Sequence, residues 1–352
     1  MRCSYAYLRE GNLVMLGVLI VIILIALLFE FINGFHDVAN VVATPIASKS
    51  LSPYQAIILA AIFNLIGAFI GTAVATTISK GLVDAHAITY LVLISALISA
   101  ILWNLLTWYF GIPSSSSHAL IGALVGAAIA LGGIDSIHVE TLAGKIIVPM
   151  ILSPVLAFFL ALIIVVIVFR ISAKCSKPRK VNAFIRELQV ISSSLFALSH
   201  GSNDAQKTMS IITLALFSFG TINTVMSVPL WVICICAFTM AMGTLAGGMR
   251  IIKTLTTRIA KLGPSNSFSA EMSSGLLIFA SSTIGLPVST TQAASGSIMG
   301  AGYPESSGIN WHMVKTIAIA WTFTLPCCML LSFMTYKILF MSLGDFDILV
   351  NV

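Results

Sequence analysis

Charge is what this chain has least of. Of its 352 residues only 9% are Asp, Glu, Lys or Arg, 58% are hydrophobic, and the mean hydropathy is +1.05. A soluble domain carries roughly a quarter charged residues, so this chain has too little polar surface to face water. The phosphate-loop pattern GxxxxGK[ST] is missing, which argues against transport driven by the chain's own ATP hydrolysis. Six cysteines (Cys3, Cys175, Cys234, Cys236, Cys327 and Cys328) form no CxxC pair, and four lie inside apolar runs. They read as structural thiols rather than as a metal cluster or a disulfide framework. No small-residue cleavage site closes the first apolar run, so it reads as a span and not as a signal peptide.

The net charge of +6 comes largely from two loops. Arg170, Lys174, Lys177, Arg179, Lys180 and Arg186 crowd one, and Arg250, Lys253, Arg258 and Lys261 occupy the other. Basic loops lie on the cytoplasmic side of a membrane, so this charge sets orientation and calls for no nucleic-acid partner. The loop at 170–186 is also a candidate contact for a cytoplasmic regulator.

What the chain has in quantity is uncharged sequence of spanning length, including Ala87–Phe110, Ile146–Phe169, Val225–Met249 and Ile317–Tyr336. About 20 apolar residues cross a bilayer as a helix, whereas a closed barrel needs alternating strands of about ten. The expected fold is an all-α polytopic membrane protein of about ten hydrophobic segments. The first five are Val14–Asn33, Ala56–Ile78, Ala87–Phe110, Ile112–Ile134 and Ile146–Phe169. The second five are Val190–Phe219 (expected to be interrupted), Val225–Met249, Met272–Ile284, Gly285–Tyr303 and Ile317–Tyr336.

The two sets carry matching polar motifs. GFHDVAN (Gly34–Asn40) aligns with GSNDAQK (Gly201–Lys207), pairing His36 with Asn203, Asp37 with Asp204 and Asn40 with Lys207. GIPSSSSHALIG (Gly111–Gly122) aligns with GLPVSTTQAASG (Gly285–Gly296), with His118 opposite Gln292. The separations are 167 and 174 residues. Two motif pairs in the same order, nearly in register, indicate an internal duplication. The expected division is a first repeat at 14–169, a basic cytoplasmic linker at 170–186 and a second repeat at 187–340. Five crossings per half would invert the second repeat. Asp135–Glu140, which holds no Lys or Arg, would then lie outside, with both termini. Arg2 and Arg9 fit that placement poorly. Re-entrant hairpins at the motifs would change the count of full spans.

The motifs have the chemistry of an ion and anion site. Pro is at home in the first helical turn, and Ser and Thr beside it cap free backbone N–H groups. A helix that starts within the membrane aims those groups, and a partial positive charge, at whatever lies in front. Ser114, Ser115, Ser116 and Ser117, and Ser289, Thr290 and Thr291, thus read as two anion-facing helix starts. The plainer reading is that the hydroxyls only satisfy a bent backbone or help helices pack.

A carboxylate within the bilayer costs several kcal/mol, and such residues usually mark an ion path. Asp37 with Asn40, and Asn203 with Asp204, offer hard oxygen ligands that suit sodium, beside glycines expected to break the backbone. A proton on the carboxylate is the alternative. Lys207 either helps neutralise an anion or pairs with Asp204. Glu30 is either a cation or proton ligand or a local hydrogen-bonding group. His36, His118 and His200 adjoin the motifs as hydrogen-bonding groups or proton shuttles. Two anion-directed helix starts and two acidic motifs describe a secondary transporter of an oxyanion, driven by cations and needing no cofactor. A passive anion channel is the nearest rival. An intramembrane Ser–His hydrolase fits poorly, since Gln292 in the second copy cannot act as a base, so the chain is not read as an enzyme.

NGFHDVANVVAT (Asn33–Thr44) and SHGSNDAQKTM (Ser199–Met209) resemble the paired signature of the PiT inorganic phosphate transporter family. The two Gly-Pro motifs resemble that family's second pair, and the likeness runs from about Leu16 to Tyr336. It is similar to the compact prokaryotic members, since no large insertion separates the halves. The resemblance implies a multi-pass protein of the cytoplasmic membrane that takes up inorganic phosphate with sodium or protons through inverted repeats, often as a homodimer. It implies cation and phosphate contacts at Asp37, Asn40, Asn203 and Asp204, and a phosphate site lined by Ser114–Ser117 and Ser289–Gln292. His36 stands where many relatives have asparagine, as in members that look coupled to protons or carry metal–phosphate complexes. Some bacterial relatives move sulfate, so the resemblance makes a sulfate permease the alternative.

Overall fold

The computed structural model describes residues 2–83, 88–254, 262–304 and 309–343, with side chains from Leu13 onward except Met249. Arg258 and Lys261 of the second basic loop lie outside the described residues. The first half holds α1 (Arg2–Ala47), α2 (Pro53–Gly67), α3 (Ala73–Gly81), α4 (Tyr90–Phe110), α5 (Ser116–Gly132), the single turn α6 (Val139–Thr141) and α7 (Val148–Ala173). The second holds α8 (Pro178–Ser218), α9 (Leu230–Ala246), α10 (Met249–Thr254), α11 (Pro264–Thr283), α12 (Thr290–Gly302) and α13 (Trp311–Leu343). The described residues contain no strand, and one isolated bridge joins Val83 to Ile137.

Among the described residues, four helices are long and apolar enough to cross a membrane: Leu13–Ala47, Tyr90–Phe110, Val139–Ala173 and Trp311–Leu343. Their outer faces suit lipid. Along α7, Ile151, Val155, Phe159, Ile163 and Ile167 face outward, while Met150, Ser153, Ala157, Ala161 and Val165 face in. Small residues on the inner face let backbones approach. The protein is thus greasy outside and polar at its centre, a multi-pass membrane protein.

The halves interlock by exchanging helices. A Cβ on Gly126 of α5 would stand 2.0 Å from the Met329 carbonyl oxygen of α13, and one on Gly122 2.6 Å from that of Leu325. The second half mirrors this: Gly300 and Gly296 of α12 meet the Phe158 and Pro154 carbonyls of α7 at 2.0 and 2.3 Å. A second reciprocal set joins the long helices. Gly34 of α1 meets the Met240 carbonyl of α9 at 2.5 Å, and Gly201 of α8 meets that of Asn64 in α2 at 2.2 Å. The duplication read from the motifs is therefore a quasi-twofold of the packing as well.

Two sequence expectations are refined by these contacts. Gly34 and Gly201 do not break the backbone beside the aspartates, since α1 and α8 run unbroken through both motifs. Their lack of a side chain is used for helix approach instead. The breaks fall at Gly111–Ser115 and Ile284–Ser289, where Gly111 (φ 65°) and Gly285 (φ 75°) turn the chain in the left-handed region. Ala56–Ile78 is not one span but two helices, α2 and α3, parted at Ala68–Thr72. Gln206 of α8 repairs that break, its Oε1 accepting the Val74 and Ala75 N–H groups at 2.7 and 3.1 Å. With 17 and 13 residues, α5 and α12 reach only about 25 and 20 Å, short of a ~30 Å hydrocarbon layer. They start inside the protein.

Candidate functional site

The two interior helix starts and the two acidic motifs meet at the centre of the molecule. Ser115 caps α5, its Oγ accepting the His118 N–H at 3.2 Å, and Ser289 caps α12 by accepting the Gln292 N–H at 3.3 Å. Extended backbone at Ser115 and Ser289 sets up both caps. The first-turn amides that a cap does not reach are those a helix offers to an anion. Ser117 Oγ donates to the Val288 carbonyl at 3.3 Å, so the first turn of α5 touches the break before α12. Trp321 Nε1 holds the break before α5 through the Pro113 carbonyl at 3.2 Å.

Each aspartate takes a hydroxyl from the helix start of its own half. Ser116 Oγ donates to Asp37 Oδ2 at 2.6 Å, and Thr290 Oγ1 donates to Asp204 Oδ2 at 3.3 Å. Positions 116 and 290 are partners in the aligned motifs. Cross-half contacts complete the assembly. Thr291 Oγ1 donates to Asp37 Oδ1 at 3.4 Å and accepts from Asn40 Nδ2 at 2.9 Å. Within the second half, Asn203 Nδ2 approaches the Val288 carbonyl at 3.5 Å.

Basic groups surround the carboxylates. His36 Nδ1 lies 2.7 Å from Asp37 Oδ1, and Lys207 Nζ donates to Asp204 Oδ1 at 2.7 Å. His200 Nε2 lies 3.5 Å from Asp204 Oδ2. Glu30 accepts a hydrogen bond from Thr208, which adjoins Lys207 on α8, and so joins the same region. Every residue named here from the motifs is buried, none more than 7% exposed. Ligand atoms of Asp37, His200 and Asp204 all lie within 4.8 Å of one another. Two bare carboxylates about 5 Å apart repel by ~3 kcal/mol at an effective dielectric of ~20. Lys207 on Asp204 supplies part of the positive charge that offsets this repulsion.

The donor set suits a monovalent cation and an oxyanion. Asn203 Oδ1 and Gln292 Oε1 are buried without a hydrogen-bond partner. Buried oxygens of this kind are normally satisfied, and both are ligand atoms a cation or a protonated oxyanion could engage.

Sequence reasoning missed three residues. Thr107 of α4 joins His36 Nε2 (3.2 Å) to Ser114 Oγ (2.8 Å), coupling the acidic motif to the break. Asn64 of α2 links His200 (3.2 Å) to Thr244 (3.1 Å). Both sit inside apolar segments with no motif around them. Glu271 of α11 forms a separate buried cluster, accepting from Gln189 Nε2 at 2.8 Å, from Ser193 at 3.0 Å and from Ser192. A signal for it existed. It is the one charged residue between Lys261 and Glu305, and an isolated carboxyl in a membrane segment is expensive.

The fold and this central arrangement define a polytopic α-helical membrane protein of two inverted repeats. The chain belongs to the phosphate transporter family, whose model matches residues 33–181 and again 170–332. A probable low-affinity inorganic phosphate transporter of Bacillus subtilis (strain 168) is 44% identical over 329 residues, covering 93% of this chain and 98% of that one. One of the same name from Rhizobium meliloti (strain 1021) is 43% identical, covering 90% and 95%. Among solved structures, "The sodium-dependent phosphate transporter" superposes with a TM-score of 0.84 at 21% identity, over 92% of this chain and 99% of that one. That last likeness is one of fold.

Proposed function

We propose that the protein is a symporter that imports inorganic phosphate with a coupling cation, either sodium or a proton. The observation that carries this reading is the convergence of two capped helix starts on two aspartates, one of each from either half of the chain. Ser114–Ser117 and Ser289–Gln292 hold the phosphate oxygens through hydroxyls and helix amides. Asp37, Asn40, Asn203 and Asp204 hold the cation, with His36 and Glu30 at its edge and Lys207 adding positive charge. The cation offsets carboxylates that would otherwise repel the anion. It also draws on the membrane potential, gaining ~2.3 kcal/mol per net charge per 100 mV. The repeats 14–169 and 187–340 rock about this site, joined by the basic linker 170–186. Alternation between the two faces fits a site built at the repeat interface.

The relatives support phosphate as the oxyanion, since two of them at over 40% identity bear that name. The test is uptake of radiolabelled phosphate into proteoliposomes, with sodium and pH gradients imposed separately and unlabelled sulfate as competitor. Uptake driven by one gradient and indifferent to sulfate is expected. Block by sulfate would move the substrate, and equilibration that ignores both gradients would mean a channel.

A further inference from the structure

Lys207 is a buried lysine in the membrane interior, 1% exposed, in a region that already holds three carboxyl groups. The packing gives its equivalent in the first half. Gly34 and Gly201 make matching backbone contacts 167 residues apart, and α1 and α8 are both continuous from there through the motif. No register shift separates the glycines from the polar residues, so Asp204 is the counterpart of Asp37 and Lys207 that of Asn40.

At the second of these positions the counterparts differ in charge. In the first half the Asn40 amide turns to Thr291 at 2.9 Å, and Asp37 is met by His36, Ser116 and Thr291. In the second half the side chain at the same position carries a charge and turns onto the aspartate itself, at 2.7 Å. Asp37, Asp204 and Glu30 thus share one lysine. Lys207 can neutralise one of them, and the others need mobile cations or protons, carried by the carboxyl itself or by His36 against Asp37 and His200 near Asp204.

We propose that the Lys207 ammonium is a tethered cation that stands in the second half's ion position at Asp204, so that the protein binds one mobile cation fewer than its duplicated architecture would otherwise hold. This rests on the cation-coupled reading above. It makes position 207 a determinant of coupling stoichiometry, where asparagine leaves a cation position and lysine fills it.

The experiment counts bound cations on purified protein, sodium by equilibrium dialysis with labelled sodium and protons by pH-stat. Lys207→Asn, which copies the first half, should take up one more monovalent cation per chain than the unsubstituted protein, whether sodium or proton. Lys207→Arg should leave the total unchanged. Asn40→Lys, which copies the second half onto the first, should take up one fewer. An unchanged total in either Lys207→Asn or Asn40→Lys, provided that variant folds, would overturn the proposal. Phosphate uptake is scored separately on the unsubstituted protein. Its failure would sink the symporter reading and leave the cation count standing.

Discussion

Asn40 and Thr291 lie 251 residues apart in the chain and share a 2.9 Å hydrogen bond at its centre. One stands on a helix that runs unbroken through the membrane interior, the other in the first turn of a helix that begins there. Thr291 also donates to Asp37, so the acidic motif of one half is completed by the helix start of the other. Neither half holds a complete set of these contacts alone.

The two aspartates should respond differently to neutralisation. Asp204→Asn leaves Lys207 buried without its ion pair, a loss worth ~3–5 kcal/mol, whereas Asp37→Asn keeps an acceptor for Ser116. Both variants should lose phosphate uptake by ~100-fold or more. Only Asp204→Asn should melt at a clearly lower temperature. Adding Lys207→Met to it should restore the melting temperature without restoring uptake. Equal melting of the two single variants would contradict the pairing.

The caps offer a symmetric test. Ser115→Ala and Ser289→Ala each remove a side-chain acceptor at a helix start, worth ~1 kcal/mol. If both starts hold the same anion, each substitution should raise the KM for phosphate about fivefold. A change in one and none in the other would break the symmetry argued here. Melting temperatures of both variants separate loss of the anion contact from loss of the helix.

Helix exchange between the halves can be probed at glycines far from the motifs' polar side chains. Alanine at Gly126 or Gly300 would push a methyl group into a backbone carbonyl, since both Cβ positions fall 2.0 Å from one. Each should cost ~1–3 kcal/mol of stability through forced helix separation. Gly17→Ala meets nothing within 4 Å and should be tolerated. Detergent melting curves of the three variants check this.

Orientation can be read from thiol labelling. Cys175 is exposed in the basic turn between α7 and α8. A membrane-impermeant maleimide should label it in inside-out vesicles and not in right-side-out ones. His138→Cys, in the turn that carries Asp135 and Glu140, should show the opposite pattern. Labelling of both positions from the same side would mean that the helix between them, Val139–Ala173, does not cross the membrane.

Much of this architecture is legible in the chain because duplication leaves a double record. Asp37 and Asp204 stand out as charges in apolar surroundings, and the Gly-Pro-hydroxyl motifs as interruptions of apolar runs. The helix starts at Ser115 and Ser289 follow from local cap chemistry alone. What stays hidden depends on partners distant in sequence. Gly34 reads as a break until Met240 is seen packed against it, because a glycine serves helix approach as readily as a bend. The gap between α2 and α3 contains no proline and is held by Gln206, 132 residues from Val74. Thr107 and Asn64 look like ordinary polar residues of membrane helices, and only their bonds to His36 and His200 tie them to the centre.

The most direct test of the central claim is to locate the anion. Crystals grown with arsenate, a tetrahedral oxyanion with the shape and charge of phosphate, would mark the site by anomalous scattering at the arsenic edge. A single peak is expected between the starts of α5 and α12, in contact with hydroxyls of both Ser114–Ser117 and Ser289–Thr291. A peak against one helix start alone, or away from both, would contradict the claim.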